Sequence, residues 1–337
     1  MPVYNAEEYL AEAIESILNQ SFTDFELLIF NDASTDQSLD IIKGYSDSRI
    51  HVIDCPVNEG IVKRLNDGIA LAKGQYIARM DADDISLPLR FEIQIKLLDE
   101  HPEVGLCGTW HEYIGDLKGV HKYPVTPRDI RLQLLFNTAF SHPTVMMRKS
   151  ILTENELMYD EGFVPAEDYN LWVRILTRTQ AANVPQVLLK YRVHGSSISM
   201  SKKRKQQQRA SLAREFQIRH VFGVQLYDEA DLIFLAEVLG TIGAENIRKM
   251  SRREFVLIED FCSLLRERIL EADSHKEEML KGIRFLANDL YCSSLHLNRW
   301  LIRRAIKSKV FSITAFIQFS IKRTFPHFYE KILLTAK

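Results

Sequence analysis

The chain has 337 residues, 46% hydrophobic and 26% charged, with a formal net charge of −2. This composition is ordinary for a soluble globular protein with a real core, built as one large domain plus an appendage or as two domains. The four cysteines, Cys55, Cys107, Cys262 and Cys292, show no paired spacing, which argues against a zinc site or disulfide framework and suits a reducing cytoplasm.

Met1-Pro2-Val3-Tyr4-Asn5 leads directly into an acidic helical stretch rather than a signal peptide. No run free of charged residues is both long and apolar enough for a bilayer span, so no transmembrane helix is expected. Residues 5–20 carry apolar side chains at Tyr9, Leu10, Ala13, Ile14, Ile17 and Leu18, a helical stripe that Asn5 and Glu8 could open as a capping box. FELLIF at 25–30 reads as a buried strand, followed by a helix at 36–45, the strand RIHVID at 49–54 and a helix at 61–73. The strand QYIARM at 75–80, a helix from 88 to 100 and the strand VGLCGT at 104–109 complete the series. Alternation of this kind predicts an α/β fold with a mostly parallel sheet covered on both faces by helices. Ligands of such sheets bind beyond the carboxyl ends of the strands. NDASTD after FELLIF and DADD after QYIARM both fall there.

The charge is unevenly spread. Residues 1–195 hold 18 Lys/Arg against 29 Asp/Glu, a net of about −11, while residues 196–337 hold 25 against 16, about +9. Nine of the ten prolines also precede residue 196. A boundary near residue 200 therefore separates an acidic α/β part, 1–200, from a basic, helical part, 201–337. No repeat or low-complexity segment appears.

Three carboxylates in five residues, MDADD at 80–84, demand compensation. In extended backbone Asp81 and Asp83 point the same way while Asp84 faces elsewhere. Hard carboxylate oxygens suit Mg²⁺ or Mn²⁺, which complete their shell with water and substrate phosphates. The competing reading is a solvated or capping loop.

The order PVYNAEEYL, QSFTDFELLIFNDASTDQS, GIALAKGQYIARMDADDISLPLR, SHPTVMMRKS, AEDYNLWVRI and YRVHGSSIS closely resembles the family 2 glycosyltransferases of GT-A fold, over about residues 1–200. The resemblance implies a Rossmann-like GT-A sheet and a metal-dependent, inverting transfer from a nucleotide-sugar donor, UDP-linked by expectation, to an acceptor hydroxyl. It implies Mn²⁺ or Mg²⁺ as cofactor and a glycan or lipid-linked acceptor, as in bacterial surface polysaccharide assembly. Carried over by position, Pro2, Tyr4 and Asn5 match the segment beside the nucleotide base, and Asp32 matches the acid that contacts it. Lys63, Arg64 and Asn66 lie where relatives flank the nucleotide, on a looser match. Asp81 and Asp83 match the metal motif, with Asp83 the expected direct ligand. Asp168 matches the catalytic base, Trp172 and Arg174 the tail of its motif, and His194 a histidine near metal and diphosphate.

The residues themselves leave other uses open. Asp32 and Ser34 could cap the next helix, and Glu167 and Asp168 could simply favour a helix start after Pro165. Trp172 is more at home in a core, His142 in a structural role, and Tyr4 could pack on the first helix. The chain also departs from the family pattern. Only Met1 stands before PVYN where relatives have a full apolar strand, so a central strand is either truncated or vestigial and its ladder is expected to be unpaired beside the base pocket. Asn31 and Ala33 stand where Asp and Gly are frequent. The QxxRW signature of processive synthases is absent, which points to addition of a single sugar.

Beyond residue 205 helices are expected, one with the stripe Phe255, Ile258, Phe261, Leu265 and Ile269 after Ser251. The tail sets Arg299, Arg303, Arg304, Lys307, Lys309, Lys322 and Arg323 around VFSITAFIQFSI. It fits either an interfacial helix on an anionic membrane or a basic face packed on the domain. The protein is expected to be cytoplasmic, and peripheral at the inner face of the plasma membrane if the tail binds there. No nucleic-acid partner is expected. The rival functions are a sugar-1-phosphate nucleotidylyltransferase, whose Gly-rich phosphate loop is missing, and an inactive nucleotide-sugar-binding or scaffold protein.

Overall fold

The structure is a computed structural model that describes residues 1–195 and 203–222, together with Leu235, Leu257, Asp260 and Phe261. The chain divides into two units, Met1–Phe222 and Gly223–Lys337. The expected basic tail and the striped helix lie outside the described residues, Leu257, Asp260 and Phe261 apart.

The first sheet is parallel, in the order β1 (Pro2–Val3), β2 (Leu27–Asp32), β3 (Ile50–Cys55). Its strands are joined through α1 (Leu10–Leu18) and α2 (Ser38–Lys43), and α3 (Ile61–Leu71) follows β3. The second sheet is mixed. It contains β4 (Tyr76–Ala78), β5 (Ile85–Ser86), β6 (Val104–Gly115), β7 (Gly119–His121), β8 (Met146–Arg148) and β9 (Gln180–Val193). Its path is β4-β8-β6-β9-β5, with β7 hairpinned on β6. Only β6 and β9 run parallel; the other pairs are antiparallel. The parallel alternation expected from sequence therefore holds for the first three strands and then gives way to short strands returning in the opposite sense.

Four further helices cover the sheets: α4 (Arg90–Glu100), α5 (Pro127–Gln133), α6 (Lys149–Glu154) and α7 (Glu167–Ile175), followed by α8 (Lys203–Phe222). One core cluster joins α1 and α4 to β2, β4 and β6 through Leu10, Ile14, Ile29, Phe91, Leu98, Val104 and Cys107, with Tyr76 and Ala78 packed against it. A second seats Trp172, Leu171 and Ile175 of α7 against Phe140, Leu134 and Ala213. Gln206 donates to the Pro165 carbonyl at 3.1 Å and Gln217 to the Arg131 carbonyl at 3.1 Å, so α8 braces the segment that carries α7. Trp172 is fully buried and serves as core.

Two details matter for the site. β1 supplies Pro2 and Val3 to the ladder and Met1 continues it, its amino terminus donating to the Leu28 carbonyl at 2.8 Å and its carbonyl accepting the Phe30 N–H at 3.0 Å. The ladder expected to be unpaired is therefore paired on its β2 side. A cavity of about 750 Å³ lies between β2 and β4, lined among others by Met1, Leu28, Phe30, Ile77 and Met80. Among the described residues no helix is long and apolar enough to cross a membrane.

Candidate active site

The loops after β1 and β2 lock together. Asn5 adopts a left-handed φ of 48°. Its N–H donates to Ser34 Oγ at 3.1 Å and its Oδ1 accepts from the Thr35 N–H at 2.8 Å. The Ala6 N–H donates to Ser38 Oγ at 2.8 Å, the Glu7 N–H to Asp36 Oδ2 at 3.0 Å, and the Gln37 N–H to Glu7 Oε2 at 2.8 Å. This mesh replaces the capping box expected at Asn5 and Glu8. The helix starts only at Leu10, with Tyr9 in the cap position and no side-chain cap, because the side-chain Oδ1 of Asn5 is committed across the loop to the Thr35 N–H. Tyr4 projects from the mesh and is 53% exposed, so it does not pack on α1 as a core residue would. Pro2 sits in register with Phe30. Ala33, where a glycine is frequent, also has a left-handed φ of 58°, which costs an alanine more than a glycine.

Asp32 ends β2 and is only 3% exposed. It does not cap α2: that task falls to Asp36, whose Oδ1 accepts from the Ser38 N–H at 3.0 Å. Asp32 Oδ1 instead accepts from Arg64 Nε at 2.6 Å and from the Glu59 N–H at 3.1 Å, and Oδ2 from the Gly60 N–H at 2.8 Å. Burial disfavours the Arg64 charge, but the bonds from Asp32 and Glu59 outweigh it and raise its pKa. Lys63 pairs with Asp67 on the same helix. Asn66 clamps the backbone of Tyr159, donating to its carbonyl at 3.0 Å and accepting its N–H at 2.9 Å. The three α3 residues singled out by sequence are thus positioned near the loop, with Arg64 and Asn66 spent on internal bonds.

After β4 the chain bends at Ala82 and Asp83, and the alternation of extended backbone is lost. Asp84 therefore does not face away, as expected, but converges with Asp81 and Asp83 so that one oxygen from each lies within 4.8 Å of the others. Two basic residues hold this loop. Arg79 forms an ion pair with Asp81, and Arg192 of β9 donates its N–H to Asp84 Oδ1 at 2.7 Å and its Nε to the Asp83 carbonyl at 2.8 Å. His194 Nε2 lies 3.0 Å from Asp83 Oδ2. Burial, then the neighbouring acids, push the Asp84 pKa well up; burial also raises that of Asp81, opposed by Arg79. Asp84 Oδ2 is buried with no hydrogen-bond partner. Three converging carboxylates, together with a buried, unpartnered Asp84 Oδ2, fit a divalent cation such as Mg²⁺ or Mn²⁺.

On the other side α7 begins after a cis Val164–Pro165 bond. Asp168 lies in its first turn, half-buried, with Oδ1 accepting the Tyr169 N–H at 2.7 Å. Burial raises its pKa, while that hydrogen bond and the Arg79 charge lower it. Glu167 is more deeply buried, its Oε2 has no partner, and burial with the adjacent Asp168 pushes its pKa to about 7. His142 supports the helix from beneath, with Nε2 2.9 Å from the Tyr159 hydroxyl and its ring 5.7 Å from Trp172.

Residues 1–155 match the family model "Glycosyl transferase family 2". An uncharacterized glycosyltransferase of Haemophilus influenzae is 34% identical over 209 residues, covering 58% of this chain and 65% of that protein. The Escherichia coli protein WfgD, a UDP-Glc:alpha-D-GlcNAc-diphosphoundecaprenol beta-1,3-glucosyltransferase, is 33% identical over 205 residues, covering 60% of this chain and 79% of its own length. The chain belongs to glycosyltransferase family 2. The fold agrees: TarS 1-349 of S. aureus, solved with UDP-GlcNAc, matches with a TM-score of 0.60 at 17% identity, over 85% of this chain and 84% of that one. At that identity the likeness is one of architecture, the GT-A sheet with its flanking helices.

Within this family 2 site, sequence reading passed over Arg79, Arg192 and the inward turn of Asp84. A signal existed for Arg79, a lone cation two residues before Asp81 in an apolar strand. None existed for Arg192, whose contact with Asp84 spans 108 residues.

Proposed function

We propose that this chain is an inverting transferase that moves one sugar from a nucleoside-diphosphate sugar to an acceptor hydroxyl, with Mn²⁺ or Mg²⁺ as cofactor. The observation that carries this reading is the convergence of Asp81, Asp83 and Asp84 at the end of β4, in a family 2 chain. Asp83 and Asp81 would hold the cation, with His194 beside Asp83. A cation there would offset the negative charge that develops on the departing diphosphate.

The remaining roles belong to the protein's own groups. Tyr4, Pro2 and the loop pinned by Asn5 form the proposed seat of the nucleotide base. Asp32 Oδ1 already accepts two bonds, so a base donor would be met by the open lone pair of Oδ2. Lys63, Arg64 and Asn66 keep α3 and the Tyr159 segment in place around it. Asp168 Oδ1 is fixed by the Tyr169 N–H, which leaves Oδ2 to take the proton of the acceptor hydroxyl. Its raised pKa brings it closer to the range useful for a base, help typically worth ~10²–10⁴ in rate. Attack from the face opposite the leaving diphosphate inverts the anomeric centre. Glu167, holding its proton to about pH 7, does not add a second full charge beside the base.

A UDP-linked donor and a lipid-linked glycan acceptor are supported by the names of the E. coli relative and of the S. aureus structure. The catalytic domain expected at residues 1–200 would extend through α8 to Phe222, and the basic tail would bring the enzyme to the cytoplasmic face of the membrane. Incubating the protein with a panel of nucleoside-diphosphate sugars and Mn²⁺ tests the proposal. Slow release of nucleoside diphosphate from one donor, abolished by a chelator, is expected. Pyrophosphate-dependent formation of sugar-1-phosphate would favour a nucleotidylyltransferase instead, and no turnover with any donor would favour a binding protein.

A further inference from the structure

A group of aromatic and imidazole rings on β6, β7 and β9 stands beside the acids and takes no part in the roles assigned above. His111 and His121 are register partners across the β6–β7 hairpin, with rings 5.3 Å apart and 10° from parallel. Tyr113 meets His111 edge-on at 4.6 Å, and Tyr191, its register partner on β9, lies 5.1 Å from His111. Tyr123 lies 4.5 Å from His121. His121 is exposed and Tyr113 and Tyr191 are half-buried, so part of this wall is open to solvent.

Three features make it more than packing. Its inner end adjoins the acidic loop, because Tyr191 precedes Arg192, which bonds both Asp84 and the Asp83 carbonyl. The field of Asp81, Asp83 and Asp84 reaches the Tyr191 hydroxyl and that of Asp168 reaches Tyr123, each adding to a rise in pKa caused mainly by burial. Most tellingly, His111 is 2% exposed and neither ring nitrogen has a hydrogen-bond partner. Buried polar groups in native proteins are normally paired, so this imidazole is short of a partner.

Resting on the transfer reading above, we propose that this wall is the acceptor subsite and that it binds a neutral pyranose ring of the acceptor glycan. A pyranose presents a face of C–H bonds, which packs on the electron-rich faces of Tyr113 and His121, and a rim of hydroxyls. A neutral imidazole has one donor and one acceptor nitrogen, matching a hydroxyl. Burial holds the His111 pKa near 4, so it stays neutral and offers no charge to a phosphate. Strand alternation puts Lys122, which lies over the Trp110 ring at 5.0 Å, on the opposite face of the hairpin. An acyl or prenyl chain would fill the wall but leave both His111 ring nitrogens without partners.

The probe is a set of methyl pyranosides, of glucose, galactose and N-acetylglucosamine, with dodecyl phosphate as the lipid arm. These are titrated into full-length protein carrying labelled histidine and tyrosine rings, observed by NMR. At least one glycoside should shift the His111 and His121 ring signals saturably, with Kd rising ~10-fold or more in Tyr113→Ala and little in Tyr113→Phe. Binding of uridine diphosphate with Mn²⁺, followed by calorimetry, should persist in Tyr113→Ala. If it does not, His121→Ala, at an exposed position, decides by the same criterion. Response to dodecyl phosphate alone, or glycoside shifts that survive in these variants, would overturn the proposal. Donor cleavage by the unaltered protein is measured separately: glycoside binding without any cleavage would sink the acceptor role through the transfer reading, and cleavage without glycoside binding would sink the subsite alone.

Discussion

Glu167→Gln should make the protein more stable in alkaline solution and leave it nearly unchanged in acid. Glu167 is buried at the start of α7 with one carboxylate oxygen unpartnered, and burial together with Asp168 raises its pKa from the ordinary 4.5 to about 7. Between those values the folded state holds a proton that the unfolded state has released. Stability therefore falls as pH rises through this window, and the loss is complete above pH 7. A shift of that size corresponds to about 2–4 kcal/mol at pH 8 and to less than about 1 kcal/mol at pH 5. Glutamine has no proton to lose and nearly the same volume, so it should recover most of that loss, or roughly 4–12 °C in Tm for a unit of this size. Urea unfolding of both proteins at pH 5, 6, 7 and 8 measures it, and the difference between the two curves removes the contribution of titrating groups that do not interact with Glu167, leaving that of Glu167 and its neighbour Asp168. Parallel pH profiles would show that Glu167 ionises normally in the folded protein and would refute the reasoning. Transfer activity should survive the substitution within a few-fold.

Asp83→Asn should abolish Mn²⁺-dependent binding of nucleoside diphosphate while leaving the melting temperature in place; unchanged metal-dependent affinity by calorimetry would count against the metal assignment. Arg64→Leu strands the buried Asp32 carboxylate without its guanidinium, and should cost about 3–5 kcal/mol in urea unfolding. A short apolar extension ahead of Met1 should enter the cavity between β2 and β4, raising Tm and donor affinity, whereas a glycine-serine extension of the same length should do neither.

Much of the fold was legible because its first half is written in local patterns. FELLIF and RIHVID are apolar runs with turn residues at each end, and they became β2 and β3 shifted by one or two residues. The helices at 61–73 and 88–100 likewise formed within two residues of their expected ends. The mixed second sheet was less legible, since three-residue strands such as β8 carry no periodicity that a single sequence can reveal. The acidic motif stood out by composition, yet the direction of Asp84 depended on a bend at Ala82 and Asp83 that alternation does not foresee. Asn5 looked like a cap because cap residues are also loop residues; its actual partner, Thr35, lies thirty residues on. Asp32 was marked as a ligand for the base, and its lock on Arg64 and the start of α3 needed the folded geometry to appear.

The central claim is that Asp168 acts on the acceptor while the aspartates after β4 act on the donor. The most direct measurement is the transfer rate of Asp168→Asn at saturating donor, made alongside its Mn²⁺-dependent affinity for uridine diphosphate. A rate lower by about 10²-fold or more with donor affinity kept is the expected result. A rate equal to that of the unaltered protein, or a loss of donor affinity as large as the loss of rate, would contradict it.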